Sequence, residues 1–277
     1  MQDHADHQLL ERAQAGDGRA LERLLERHQA RVYRFGMRMC RDPEDAKDVL
    51  QDTLLAMARS VRDFRGTSSI STWLYSIARS FCIKKRRRSK FAPEQQSSLD
   101  SDVAQEAALL ADTARSPDEA LAGRRLEHAI ERAIGALDPK YREVLVLRDV
   151  EGLTAPEVAE VLGISTVAVK SRLHRARLAV REHVAPFLGI PTETSVAPGT
   201  CPDVLSLFSR HLEDEITADV CAKMERHLLA CGRCRGSCDS LKRTLALCRT
   251  AGPSVEVPVP VRASVKVAVR DFLAEKT

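Results

Sequence analysis

Residues 153–177 have the pattern of a helix-turn-helix, which constrains the fold more than any other part of the chain. Ala159 is small where two helices must cross closely, and Gly163 stands where the turn needs a positive φ that strains other residues. Apolar residues recur at helical spacing and supply a shared core: Val158, Leu162, Ile164, Val169 and Leu173. The alternative is a helical hairpin whose basic face is only solvated. The small residue, the turn glycine and the basic second helix all fall in register, which favours the helix-turn-helix. The pattern therefore predicts a DNA-binding unit.

The second helix of this unit carries side chains of the kinds that contact phosphates and base edges in a major groove. It opens with polar Ser165 and Thr166. Its outer side carries five further residues of this kind: Lys170, Ser171, Arg172, Arg175 and Arg177.

The composition favours an all-helical protein of two or three small domains. The chain has 277 residues, and aromatic residues make up only 4% of it. The net charge of +4 is modest, although the basic residues are clustered. The polar, acidic start lacks a secretory signal and no apolar run is long enough to cross a bilayer, so we expect a cytoplasmic protein without membrane contact.

The all-α chain is predicted to divide into three helical units joined by linkers. Asp42 and Pro43 begin one helix of the first unit, and Asp138–Pro139 breaks the helical pattern of the second. In residues 255–261 valines alternate with prolines and a glutamate, a pattern that predicts an extended segment. A short helix is predicted after it, at 263–276. The boundaries are 1–92 for the first unit, 93–117 for an acidic flexible linker, 118–188 for the helix-turn-helix unit, 189–200 for a second linker, 201–250 for a cysteine-rich unit and 251–277 for the tail.

Two segments together resemble the extracytoplasmic-function (ECF) sigma factors, the minimal bacterial form of the sigma-seventy family. Asp42–Thr53, Phe64–Gly66 and Ser71–Arg79 resemble conserved region two, and residues 124–181 resemble region four. The resemblance implies a non-enzymatic subunit that directs core RNA polymerase to promoters. It also implies contacts of Asp48, Gln51 and Asp52 with the β′ clamp helices, and of region four with the β flap.

The same resemblance assigns promoter contacts to both units. The basic end of the region-two helix is expected to hold the opened −10 strand through Ser80, Lys84, Lys85, Arg86, Arg87 and Arg88. Most ECF proteins have Asn where this chain has Ser80, so the resemblance implies the strand-binding surface and leaves the −10 sequence preference open. In region four, the family pattern assigns the −35 element to Lys170, Ser171, Arg172 and Arg175, with Thr166 and Arg177 on the DNA backbone.

Six of the eight cysteines lie between Cys201 and Cys248, which in a reducing compartment indicates metal or redox chemistry rather than disulfides. His227, Cys231 and Cys234 have an H-x3-C-x2-C spacing that brings three donors to one ion. Cys201 is the predicted fourth ligand, because the segment from it onward resembles the zinc-binding anti-sigma fold, here fused to the sigma factor.

Three further thiols are surplus to one tetrahedral ion: Cys221, Cys238 and Cys248. Cys238 is four residues beyond Cys234 and is a candidate to exchange with a primary ligand, whereas His211 is a weaker candidate. The tail looks like those of metal-responsive ECF factors of the CorE-like group. Thiolates suit zinc, copper(I) and cadmium alike, so the ion is left open, as is a separate anti-sigma partner. A purely structural zinc site is the alternative to a regulatory one.

Three other functions compete with the sigma-factor interpretation. A helix-turn-helix metalloregulator that binds duplex DNA without polymerase would leave Asp42–Lys90 unexplained. A zinc enzyme would need an open metal position, and the predicted site is saturated by thiolates and imidazole. An anti-sigma or adaptor protein would have no use for the basic helix of region four.

Overall fold

The computed structural model describes residues 2–91, 117–188, 201–250 and 257–274. Within these ranges the regular structure is entirely helical, in agreement with the predicted all-α class. Apart from Pro117, both predicted linkers lie outside the described residues. Among the helices of these ranges, none is long and apolar enough to cross a membrane.

Four helices form the N-terminal unit. They are α1 (Gln2–Gln14), α2 (Gly18–Cys40), α3 (Pro43–Ser60) and α4 (Ile70–Phe91). Asp42 caps α3 as predicted, because its side chain accepts a 2.8 Å hydrogen bond from the Asp45 amide and Pro43 needs no donor there. Helices α2 and α3 cross closely at Gly36, where an added Cβ would lie 3.2 Å from the Ala46 Cα. Only glycine allows that approach without a shift of the backbone.

The helix-turn-helix unit contains four helices and a π-helical turn. They are α5 (Pro117–Ala136), α6 (Pro139–Leu145), the turn at Val146–Val150, α7 (Ala155–Leu162) and α8 (Thr166–Val184). Thr154 and Glu157 form a reciprocal capping box at the start of α7. Gly163 ends α7 with φ of 65°, and Ser165 caps α8. The positive φ predicted for Gly163 is therefore confirmed.

The C-terminal part contains three helices of the cysteine-rich unit and one terminal helix. They are α9 (Val204–His211), α10 (Ala218–Ala230), α11 (Gly232–Thr250) and α12 (Val259–Ala274). The prediction of an extended segment through Val261 is wrong, because α12 already begins at Val259. Pro260 lies in its first turn, where the missing amide donor costs nothing.

Helix α12 packs on α3 of the N-terminal unit and extends the main core. Four buried valines spaced four residues apart lead from the preceding segment along its inner face: Val257, Val261, Val265 and Val269. Lys266 adds ion pairs of 3.6 and 3.4 Å to Glu22 and Glu26 of α2. The main core runs through the N-terminal unit, the helix-turn-helix unit and α12, whereas α9–α11 enclose a smaller core of their own.

Candidate nucleic-acid interface and metal centre

The outer side of α8 presents the predicted DNA-binding side chains to different degrees. Ser171 and Arg175 are exposed, and Thr166 and Arg172 are half-buried. Arg175 donates a 3.2 Å hydrogen bond to the Tyr141 hydroxyl at the surface. These four side chains are wholly or partly accessible to solvent on the outer side of α8.

Lys170 is half-buried because the cysteine-rich unit lies against it. Its Nζ donates a 2.9 Å hydrogen bond to the carbonyl oxygen of Glu213 and lies 3.4 Å from Oε1 of Glu215. Both acceptors belong to the turn after α9, where Asp214 has a left-handed φ of 54°. We call residues Glu213–Glu215 the acidic turn. It occupies a side chain that was predicted to recognise DNA.

Arg177 is buried rather than presented to DNA. It is 1% exposed and its guanidinium pairs with Asp149 at 2.7 and 2.8 Å and with Glu213 at 2.7 Å. Burial opposes its charge, but the hydrogen bonds and charges of these two carboxylates prevail and raise the pKa of Arg177. In this arrangement the guanidinium cannot reach a phosphate, so the expected backbone contact is corrected to an interior ion-pair network.

A sequence signal for this burial existed. Arg177 follows Leu173 by four residues and precedes Val180 by three, so it continues the apolar face of α8. Its acidic partners were not predictable, because Asp149 and Glu213 lie 28 and 36 residues away along the chain.

The basic end of α4 is only partly free. Ser80, Lys84 and Arg87 are exposed, and the side chain of Arg88 lies outside the described residues. Arg86 is 4.0 Å from Oε1 of Glu143. Lys85 forms ion pairs with Asp45, at 3.4 Å, and with Asp48; the Asp48 hydrogen bond is the main cause that raises the pKa of Lys85.

The predicted polymerase-binding residues lie on one side of α3. Asp48 and Asp52 are exposed and Gln51 is half-buried. Because Asp48 pairs with Lys85, one residue predicted to contact polymerase meets one predicted to hold DNA. Asp52 presents its charge to solvent.

Acidic side chains of the helix-turn-helix unit cover much of α4. Arg79 donates to Glu143 at 3.1 Å and the Tyr75 hydroxyl donates to Glu151 at 2.6 Å. Ser69, just before α4, donates to Glu157 at 2.9 Å. The two units are thus in contact along α4, up to the turn before the residues expected to hold the −10 strand, of which Ser80, Lys84 and Arg87 remain exposed.

The four predicted metal ligands converge. One donor atom from each of Cys201, His227, Cys231 and Cys234 lies within 4.8 Å of all the others. Cys201 precedes α9, His227 lies on the last turn of α10, Cys231 caps that helix and Cys234 begins the buried face of α11. The Cys231 amide donates a 2.9 Å hydrogen bond to the His227 carbonyl oxygen, and this bond holds the two ligands on adjacent turns.

The donor set fits a tetrahedral thiophilic ion. Hydrogen bonds from the backbone and side chain of Cys234 lower the pKa of Cys231, whereas burial and the neighbouring thiols raise that of Cys234 to about 12. Within the described part of the chain, the buried Nε2 of His227 has no hydrogen-bond partner. A cation would satisfy that nitrogen and offset repulsion among thiolates, so three cysteines and one histidine suit zinc.

The three surplus thiols lie apart from this cluster. Cys238 is 1% exposed, and its Sγ is 3.8 Å from the Val204 carbonyl oxygen. Cys248 is fully buried in the main core, where burial raises its pKa to about 12. It is therefore a core residue in this arrangement and not an additional ligand. Cys221 is half-exposed beside His211 and Glu225.

Comparison with protein families divides the chain in agreement with these units. Residues 24–91 match sigma-70 region 2, and residues 127–180 match sigma-70 region 4. Residues 201–235 match a zinc-finger family, and this range contains all four converging donors.

Comparison with individual proteins extends the similarity over both sigma regions. The RNA polymerase sigma-H factor of Pseudomonas aeruginosa is 32% identical over 190 residues, which is 66% of this chain and 95% of the relative. ECF RNA polymerase sigma factor SigM of Mycobacterium tuberculosis is 30% identical, covering 63% of this chain and 82% of the relative. The solved complex of CnrH with the cytosolic domain of CnrY matches at 27% identity and a TM-score of 0.47, covering 64% and 94% of the respective chains.

Proposed function

Because this chain belongs to the ECF group of sigma-70 family sigma factors, we propose that its cysteine-rich unit controls promoter engagement through bound metal. Family membership establishes the underlying activity. The protein is a non-enzymatic initiation factor that binds core RNA polymerase and directs it to promoter DNA. Transcription takes place in the bacterial cytoplasm, which is where we place its action.

Each sigma region takes one promoter element in this proposal. Helix α8 recognises the −35 element through Lys170, Ser171, Arg172 and Arg175, with Thr166 on the backbone. The exposed end of α4, from Ser80 through the basic run 84–88, holds the opened −10 strand. The side of α3 that carries Asp48, Gln51 and Asp52 meets the β′ clamp helices, and region four meets the β flap. The same proposal includes the division of the chain into units and linkers that end at residues 92, 117, 188, 200 and 250.

The contact between Lys170 and the acidic turn carries the regulatory part. Lys170 cannot bind a phosphate or base edge while it donates to the Glu213 carbonyl oxygen and pairs with Glu215. DNA and the acidic turn therefore compete for the same cation, so a change in the packing of the cysteine-rich unit alters −35 recognition.

The metal acts on this competition because it shapes the unit that carries the turn. Cys201, His227, Cys231 and Cys234 would hold zinc, and copper(I) and cadmium are alternative ions for the same donors. Bound metal ties the segment before α9 to α10 and α11, and thereby sets the position of α9 and of the acidic turn at its end.

Transcription in vitro with core polymerase tests the proposal. The intact chain and a chain ending at Leu188 are compared without metal and with zinc, cadmium or copper. The shorter chain keeps both matched sigma regions, residues 24–91 and 127–180. We expect metal to change the output of the intact chain and to leave the shorter chain unaffected. Equal output from both chains under every condition would contradict the proposal.

Two controls separate the parts of this result. Glu215→Gln removes the charge that faces Lys170, whereas Asp219→Asn removes an exposed charge in the first turn of α10. We expect only Glu215→Gln to raise promoter binding. A gel shift with and without core polymerase distinguishes a sigma factor from an autonomous DNA-binding regulator, which would shift the duplex alone.

A further inference from the structure

Cys221 lies between two other metal-binding side chains on the outside of the cysteine-rich unit. Its Sγ is 3.7 Å from Nδ1 of His211 and 3.7 Å from Oε1 of Glu225. Cys221 and Glu225 are one turn apart on α10, and His211 is the last residue of α9. None of the three belongs to the four-donor cluster of Cys201, His227, Cys231 and Cys234. The Cys221 sulfur is therefore the shared neighbour of two further donors, although these three residues are not a group whose donor atoms all lie within 4.8 Å of one another, as the four-donor cluster is.

The spacing of these donors suits one metal ion. Ligand bonds of about 2.0–2.3 Å in a tetrahedral arrangement place neighbouring donor atoms about 3.3–3.8 Å apart. Both separations from the Cys221 sulfur fall in that range. Glu225 lies on an exposed face of α10, so its carboxylate is free to rotate towards the imidazole without disturbing a core.

The donor types and their exposure define the kind of ion. One thiolate, one imidazole and one carboxylate favour a borderline divalent cation such as zinc, cadmium or cobalt over copper(I), which prefers softer sets. Three protein donors leave a fourth position for water, as in sites that remain open to exchange. Cys221 is half-exposed and the other two are exposed, so the ion would enter directly from solvent.

We propose that His211, Cys221 and Glu225 form a second metal site, which binds a divalent ion reversibly while the four-donor cluster holds its zinc. One residue, Leu212, separates His211 from the acidic turn. The carbonyl oxygen of His211 accepts a 3.1 Å hydrogen bond from the Asp214 amide inside that turn. An ion bound to the His211 ring would draw the end of α9 towards α10. The second site thus acts on the Glu213 and Glu215 contacts with Lys170, a consequence that rests on the proposed function, whereas the binding itself does not.

Metal stoichiometry of the full-length protein tests the site directly. Protein loaded with one equivalent of zinc is titrated with cadmium, and bound zinc and cadmium are both measured after removal of free ions. We expect a total of two bound ions per chain, whether or not cadmium replaces zinc in the four-donor cluster, with a thiolate-to-cadmium charge-transfer absorption. Alkylation of Cys221, followed by mass spectrometry, should become slow at the same cadmium concentration.

Three variants make the result specific. Cys221→Ser should hold a total of one ion, in the four-donor cluster. Glu225→Gln should weaken cadmium binding at least about tenfold, the lower end of what loss of even an outer partner of a metal site costs. Asp219→Asn, which removes a nearby exposed carboxylate on the same helix, should behave like the unaltered protein. Exchange of zinc for cadmium with a total of one ion, or a second ion retained by Cys221→Ser, would overturn the proposal.

The transcription assay separates this inference from the proposed function. If the second cadmium binds but no metal changes transcription, the regulatory function fails and the site stands. If metal changes transcription equally in Cys221→Ser and in the unaltered protein, the proposed function stands and the regulatory role of the second site is overturned.

Discussion

Arg177 of α8 and Glu213 of the acidic turn form a 2.7 Å ion pair in which the two side chains are only 2% and 3% exposed. Asp149 completes the pair from the π-helical turn, and Arg148 approaches Glu213 at 3.1 Å. The helix that is expected to recognise the −35 element is therefore joined to the cysteine-rich unit through its interior side as well as through Lys170.

Arg177→Met is expected to destabilise the protein by about 3–5 kcal/mol, because it leaves the carboxylates of Asp149 and Glu213 buried without their main cation. Urea unfolding followed by circular dichroism measures the change. Arg175→Met is the matched control, since Arg175 is exposed on the same helix, and it should change the free energy of unfolding by less than about 0.5 kcal/mol. If Arg177→Met has unchanged stability but binds DNA more weakly, the result would instead support the original prediction that Arg177 contacts a DNA phosphate.

Arg172→Ala is expected to relax the sequence preference at one −35 position. A bidentate arginine–guanine contact contributes about 1–3 kcal/mol of discrimination, so the cognate and mutated promoters should differ about 10–100-fold less with the variant holoenzyme. Loss of a phosphate contact, by contrast, weakens all promoters alike. Competition binding on a set of single-base −35 variants measures the effect. Uniform weakening by Arg172→Ala would reassign this residue to the backbone.

Asp52→Lys is expected to lower the affinity for core polymerase at least about tenfold, because a like charge would face the basic partner expected at the β′ clamp helices. Fluorescence titration of labelled sigma factor with core enzyme gives the affinity. Glu44→Lys reverses an equally accessible charge in the first turn of the same helix and should have little effect. Equal losses in both variants would indicate a general charge effect rather than a contact.

Folding stability is expected to decrease as the pH falls below about 6.5, the ordinary pKa of histidine. His28 is 2% exposed; burial lowers its pKa, against the opposing charge of Asp6 at 3.2 Å and assisted by Arg31 and Arg27. The unfolded chain therefore binds a proton that the folded chain does not, from about pH 6.5 down to the lower folded pKa.

Urea unfolding at a series of pH values checks this sign. His28→Gln removes the titrating group, so its stability should depend less on pH across that window. If the two proteins lose stability in parallel between about pH 7 and pH 5, His28 does not contribute.

Cys234→Ser is expected to release the zinc and to unfold α9–α11. The core of these helices is small, and zinc binding supplies on the order of 10 kcal/mol in comparable domains. Limited proteolysis should then cleave the cysteine-rich unit while residues 2–91 and 117–188 resist. Cys221→Ser, outside the four-donor cluster, should keep both its zinc and its resistance. A resistant, zinc-free Cys234→Ser protein would show that the unit folds without metal.

Much of the fold was predictable because its signals are local. Asp42, Pro43, Gly163 and Ser165 act on amides within a few residues of themselves, so the limits of α3, α7 and α8 followed from the sequence. The terminal segment was the exception. Its alternating prolines suggested an extended chain, but Pro260 lies where a helix tolerates it and the valines gain burial against α3.

The metal cluster was predictable for a similar reason. His227, Cys231 and Cys234 span eight residues, so their spacing keeps them close, although the chain leaves the helical conformation at Cys231 and the cluster forms across the junction of α10 and α11. Cys221 and His211 were separate candidates in the sequence, but their grouping with Glu225 was missed, because the approach of His211 to α10 depends on the turn between two helices rather than on spacing within one.

The sequence by itself determined most of the helices, the two sigma regions and the close spacing of His227, Cys231 and Cys234, since each depends on residues near one another in the chain. Only the tertiary structure decided which basic side chains are free. Arg177 is interior and Lys170 is occupied because carboxylates from distant segments meet them. The apolar face of α8 indicates that Arg177 is buried, but the sequence around neither residue identifies its acidic partner. Charge availability is thus a property of packing, and packing is what couples the promoter-binding helix to the metal-binding tail.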